Sequence, residues 1–158
     1  FINKINERGH QNLNGERCFF RLPNFLEWQY ACDAVEDSDK TLFWGKSNSD
    51  FMNFAWYASN SGGKVHPVAE KAPNPWGLYD MYGNILEICD DVVNCRAGSE
   101  VVEPISVFND KTFTVVGGDY SCDLDKCMTK HKRSIAAGNS YVEPVGFRLL
   151  ALTKFVVP

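Results

Sequence analysis

The chain has no apolar run long enough to cross a bilayer, no C-x-x-C pair, no EF-hand pattern, no internal repeat and no basic stripe. Each absence removes a class of function. Phosphate backbones are gripped by clustered Lys and Arg, so nucleic acid is not expected as a partner of a chain with a formal net charge of −4. The one basic cluster, 126–133, also carries Cys127, Met128 and Thr129 and reads as a solvated face. His is scarce, with three residues at 10, 66 and 131, and none stands at zinc-ligand spacing from a Cys pair. No leader is visible. Phe1, Ile2 and Ile5 lie at helical spacing and read as the tail of an amphipathic helix, so the chain is expected to begin inside an element, with an upstream part of its domain missing.

What is there is apolar and aromatic. With 158 residues, 44% of them apolar, the chain can bury one core, and a single domain over 1–158 is expected. Aromatics at 13% point to a loop-rich fold held together by large side chains. Six cysteines, at 18, 32, 89, 95, 122 and 127, favour disulfides and an extracytoplasmic location, although Cys is also a common small buried residue.

In chain order, 10–18 is polar and reads as loop. A second helix is expected from Phe25 to Val35, because Asn24 can cap it and Glu27 completes a capping box. Leu26, Tyr30 and Ala34 define its expected inner side, flanked by Trp28 and Cys32. Residues 41–45 read as a short aromatic strand or loop. The Asn-, Ser- and Gly-rich stretch 46–64 carries Phe51, Phe54, Trp56 and Tyr57, so it reads as an ordered loop whose rings dock on the core. Residues 92–103 read as loop, 104–109 as a weak strand and 112–116 (TFTVV) as a clear one that stops at Gly117-Gly118. Residues 119–133 read as exposed. Residues 145–152 (VGFRLLAL) read as one buried strand with Arg148 paired inside to an acidic group.

The densest stretch is 73–91, PNPWGLYDMYGNILEICDD, with turn dipeptides at 74–77 and 83–84. Glu87 stands inside the apolar run Ile85, Leu86, Ile88, where a carboxylate needs a partner. A loop folding around Gly83 can aim Asp80, Glu87 and main-chain carbonyls at one hard cation, and calcium takes such oxygen sets. Alternatively, Asp80 caps a turn and Glu87 pairs with an Arg.

The motifs RLPNFLEWQYA (21–31), NFAWYASNSGGKVHPV (53–68), PNPWGLYDMYGNILE (73–87), VVGGDY (115–120) and VGFRL (145–149), in this order, resemble the formylglycine-generating enzyme (sulfatase-modifying factor) family. The resemblance implies an irregular, loop-rich α+β domain related to the C-type lectin architecture. It implies calcium on the Asp80 and Glu87 side chains and the Gly83 and Ile85 carbonyls. Of a second calcium site, only Asn53 and Phe54 have counterparts. It also implies copper(I) on Cys122 and Cys127, which stand where the family's copper-binding cysteines do, and soft thiolates suit that ion. In relatives without the activity, the second of these cysteines pairs with one at the position of Cys89.

Three departures count against catalysis. Asp119 replaces the Ser that usually follows the two glycines, Lys132 stands where the partner of Cys32 usually does, and Leu149 replaces a Cys. The resemblance thus implies first a non-catalytic binding or scaffold domain, as in relatives that serve as lipoproteins or variable receptors. Its protein or peptide ligand would meet a face near 117–133, with Trp56, Tyr57, Asp119, Tyr120, Asp123 and Asp125. The alternative is a copper-dependent cysteine oxidase that makes formylglycine, with Cys122 and Cys127 catalytic. A further option is a structural disulfide from Cys122 or Cys127 to Cys89 or Cys95.

Overall fold

In the computed structural model, the residues described are 1–12, 14–34, 43–44, 48–90, 112–128, 133–136 and 144–153. The helical spacing at the start produces α1 (Ile2–Arg8). The polar stretch after it is a loop only in its middle, its two ends being strand. It contributes β1 (His10–Gln11), which pairs antiparallel with β2 (Arg17–Arg21). Asn6 in α1 clamps β2 from the side, accepting from the Phe20 N–H at 2.8 Å and donating to the Phe20 carbonyl at 2.9 Å.

Asn24 and Glu27 form the expected capping box, each side chain accepting the other's backbone N–H at 2.9 Å, and α2 (Phe25–Asp33) follows. Its inner side differs from the expected one. Trp28 and Cys32, four residues apart, are fully buried, whereas Leu26 and Tyr30 are 72% and 65% exposed. The polar bonds explain the rotation. The Trp28 indole N–H donates to Glu87 at 2.7 Å and the Cys32 thiol to the Met81 carbonyl at 3.7 Å, so that stripe must face inward. Ala34, in the left-handed region at φ 44°, closes the helix with its N–H on the Tyr30 carbonyl.

The next stretch is ordered, as its rings demand. A short helix, α3 (Asn48–Phe51), precedes β3 (Ala55–Trp56), which pairs in parallel with β4 (Tyr82–Gly83). Phe51 is buried against Trp44, Tyr57 and Tyr82, with centroids 5.0–5.7 Å apart. Together with Trp28, Cys32, Met81, Cys89, Val116 and Cys127, these rings are the main core.

A four-stranded sheet carries the second half. Its order is β7 (Arg133–Ala136), β6 (Thr112–Val116), β5 (Leu86–Cys89), β8 (Val145–Gly146), with β8 parallel to β5 and the other pairs antiparallel. The expected single strand at 145–152 is instead split. β8 joins this sheet, and β9 (Leu150–Thr153) crosses to pair with β2. Between them Phe147 turns out to solvent and Arg148 turns in to Glu87, which a straight strand buried on both faces could not do. The stretch after Gly118 is also not simply exposed. It forms α4 (Leu124–Met128), which buries Cys127, and Asp119 is buried ahead of it. The expectations for 92–109 and for Cys95, His131 and Lys132 lie outside the described residues.

Candidate functional site

Two linked centres stand out, the 79–87 turn and the thiol pair beside the two glycines. At the turn, Gly83 has φ 71°, and a Cβ there would fall on the Trp56 carbonyl, so only glycine fits. Its N–H donates to the Gly117 carbonyl at 2.7 Å. Asn84, buried and at φ 61°, ties three segments together. Its N–H donates to the Trp56 carbonyl at 2.8 Å, its carbonyl accepts from Tyr120 N–H at 3.0 Å, and its side-chain amide brackets the His66 backbone at 2.9 and 3.1 Å. Sequence reading treated Asn84 only as a turn residue. Its neighbour Glu87, retained in an apolar run, was the signal that this turn is structural.

Glu87 is buried and filled with donors. Its oxygens accept from Trp28 Nε1 at 2.7 Å and from Arg148 Nε and Nη2 at 2.5 Å each. Arg148 Nη2 also reaches the carbonyls of Tyr79 at 3.1 Å and Asp80 at 3.4 Å. Burial alone would lower the proton affinity of Arg148, but its bonds to Glu87 more than offset this and raise it. The Asp80 carboxylate accepts the Ala69 N–H at 2.8 Å. Among the described residues no three His, Cys, Asp or Glu side chains gather as a metal site. Of the groups that the resemblance assigns to calcium, the Glu87 carboxylate is held by Arg148 and Trp28 and the Asp80 carboxylate by the Ala69 N–H. Asn53, assigned to a second calcium, is exposed, and its carbonyl accepts the Ala72 N–H at 2.8 Å.

The second centre follows from close packing at Gly117 and Gly118, at φ 90° and 74°. A Cβ on Gly117 would meet Trp28 Cζ2 at 3.3 Å, and one on Gly118 would meet Cys127 Sγ at 2.9 Å. The two glycines thus let α4 dock on the core through Cys127. Asp119 then closes an Asx turn, its Oδ1 accepting from both the N–H and the Oγ of Ser121 at 2.7 Å. Its carbonyl accepts the Cys122 N–H at 3.2 Å and the Cys127 thiol at 3.7 Å.

This brings Cys122 and Cys127 together. The side-chain interaction with Cys127 lowers the Cys122 thiol to about 7, and the same interaction and burial push Cys127 up. Among the described residues no disulfide joins Cys89 to Cys122 or Cys127.

Around the pair, the Cys122 carbonyl accepts the Ala58 N–H at 3.0 Å and Ser61 Oγ donates to the Tyr120 carbonyl at 2.8 Å. Of the expected surface residues, Asp123 and Asp125 are exposed and Tyr120 is half-buried. Tyr57 and Asp119 are not surface groups: the Tyr57 ring packs on Phe51 and the Asp119 carboxylate is spent on Ser121. Trp56 is half-buried, stacked on His66 at 3.8 Å, with Lys71 Nζ 3.8 Å from its ring centroid.

The sequence model of the sulfatase-modifying factor enzyme 1-like domain matches residues 1–152. The formylglycine-generating enzyme of Mus musculus is 30% identical in a match covering 83% of this chain and 39% of that enzyme. The chaperone protein LppX of Paenibacillus barcinonensis is 32% identical over 44% of this chain and 30% of its own length. Treponema denticola variable protein 1 superposes with a TM-score of 0.64 at 29% identity, covering 90% of this chain and 50% of that one. PvdO from Pseudomonas aeruginosa superposes at 0.59 with 20% identity, over 97% and 57% of the two chains, a likeness of fold alone. The chain thus spans between 30% and 57% of the length of these relatives.

Proposed function

The chain belongs to the sulfatase-modifying factor enzyme 1-like family, and from that premise we propose that it is a non-catalytic binding or scaffold domain that offers the face at 120–126 to a protein or peptide ligand. The observation that carries this reading is the contrast between the two sides of that segment. Its inner side is locked to the core through Cys127, Asn84, Ala58 and Ser61, while Ser121, Asp123 and Asp125 stand exposed on the outer side. A rigid backbone presenting short polar side chains loses little entropy on association, which favours recognition.

Charge weighs against copper catalysis. A bis-thiolate site needs both protons removed, yet the hydrogen bond that lowers Cys122 raises Cys127. The buried Asp119 carboxylate next to the pair opposes a second thiolate. The nearby cation Lys126 is exposed and already faces Asp123 at 3.6 Å.

One observation favours the second reading, a copper-dependent cysteine oxidase: the two thiols that would hold copper(I) are in hydrogen-bond contact and one is half-exposed. Bound copper(I) would supply oxygen activation. The chain's own part would be to hold the ion on Cys122 and Cys127, with the Cys122 backbone fixed by the Ala58 N–H. A photo-crosslinking residue in place of Ser121, tested in cells, checks the binding reading. A discrete polypeptide adduct is expected there and not from the same residue in place of Lys4 on α1, and no adduct from Ser121 would refute it.

A further inference from the structure

We propose that Asn14 is a site of spontaneous modification, its side-chain amide closing on the Gly15 backbone nitrogen and converting to aspartate and isoaspartate. The sequence holds a single Asn-Gly pair, and it falls in the exposed turn between β1 and β2. Gly15 has no side chain to shield the nitrogen that must attack, and even an added Cβ would meet nothing within 4 Å, so the surroundings do not crowd it.

The Asn14 amide is also unoccupied. Asn12 accepts the N–H groups of Asn14 and Glu16 at 2.9 Å on Oδ1 and donates from Nδ2 to Glu16 at 2.8 Å. Asn60 Nδ2 donates to the Ala55 carbonyl at 2.9 Å and Asn74 Nδ2 to the Ala31 carbonyl at 2.7 Å, while Asn84 brackets His66. The Asn14 side chain has no such partner among the described residues.

The step needs only water. The Gly15 nitrogen bonds to Asn14 Cγ, the Cγ–Nδ2 bond breaks, and ammonia leaves with the Gly15 amide proton. Water then opens the cyclic imide, giving aspartate by attack at Cγ and isoaspartate by attack at the Asn14 main-chain carbonyl. The turn supplies a brake, because the Gly15 N–H donates to the Asn12 carbonyl at 3.0 Å and must be released first. Release is local: β1 is two residues long and stands at the edge of its sheet, and such segments open well below the cost of global unfolding. Either product sets a new carboxylate close to Glu16. Isoaspartate also lengthens the backbone by one carbon where Asn12 holds the Asn14 N–H, which loosens β1 from β2.

The test ages the purified protein in buffers from mildly acidic to mildly basic and maps conversion by peptide mass spectrometry that separates aspartate from isoaspartate. Wild type, Gly15→Ala and Asn12→Ala are compared. Wild type is expected to convert at Asn14 before any other asparagine, at a rate that rises with pH because the attacking nitrogen must lose its proton. Gly15→Ala is expected to lose most of the conversion, and Asn12→Ala, which frees the turn, to convert faster. Another asparagine converting first, a rate indifferent to pH, a Gly15→Ala protein as fast as wild type or an Asn12→Ala protein no faster would each overturn the inference. Should either variant fail to fold, the site and the pH dependence in wild type decide on their own.

Discussion

The thiol of Cys122 is the group whose chemistry is most open to direct reading. Held near 7 by its interaction with Cys127, it should alkylate with iodoacetamide at a rate that rises through that pH. Removing that partner in Cys127→Ala should move the profile back up toward the ordinary thiol range. Peptide mass spectrometry across a pH series checks this, and an unchanged profile would mean that Cys127 is not the cause. Next to it, Gly118 leaves no room for a methyl group against Cys127 Sγ and sits at φ 74°. Gly118→Ala should therefore lose roughly 1–3 kcal/mol in denaturant unfolding by overpacking alone. At this scale sequence reading was partly sufficient. The family resemblance marks Cys122 and Cys127 as a pair, and the sequence offers Glu87 an Arg and Arg148 an acidic group as partners without naming one to the other. It could not tell that Tyr57 and Asp119 turn inward, because that depends on Phe51 and Ser121 arriving from other segments.

Elements were legible where their signals are local. The capping box at Asn24 predicts the start of α2, and Asn24→Ala should cost about 1 kcal/mol by thermal unfolding, with no change in the thiol profile. TFTVV predicts β6 because its β-branched residues end at two glycines. β1 and β2 were missed because β2 is stabilised by β9, more than a hundred residues away, and nothing in its own polar neighbourhood announces that partner. The 145–152 stretch was read as one strand because its apolar run is continuous. Arg148, bound inward, forces the break that sends its two halves to different sheets. The orientation of α2 failed for a related reason. Leu26 and Tyr30 are apolar enough to suggest a core face, but Trp28 and Cys32 have the polar partners that decide it.

For the whole molecule, family and fold class were readable from five motifs in order, because those motifs are the joints: the capped helix, the ring-bearing loop, the Gly83 turn, the Gly117-Gly118 turn and the Arg148 crossover. They meet through a chain of contacts, from Arg148 to Glu87, from Glu87 to the Trp28 indole, from Trp28 to Gly117, and from Gly118 to Cys127. The joints that build the fold thus also fix the thiol pair and the polar face above it. Such a scaffold supports either recognition or copper chemistry, and the reading proposed above is recognition. The most direct test of that claim is a copper(I) competition titration against a colorimetric chelator, on wild type and Cys122→Ser, with oxygen uptake followed in the presence of a cysteine-bearing peptide. The account predicts no stoichiometric copper(I) held by wild type beyond that held by Cys122→Ser, and no oxygen consumed. One copper(I) per chain, lost in Cys122→Ser and accompanied by oxygen uptake, would contradict it.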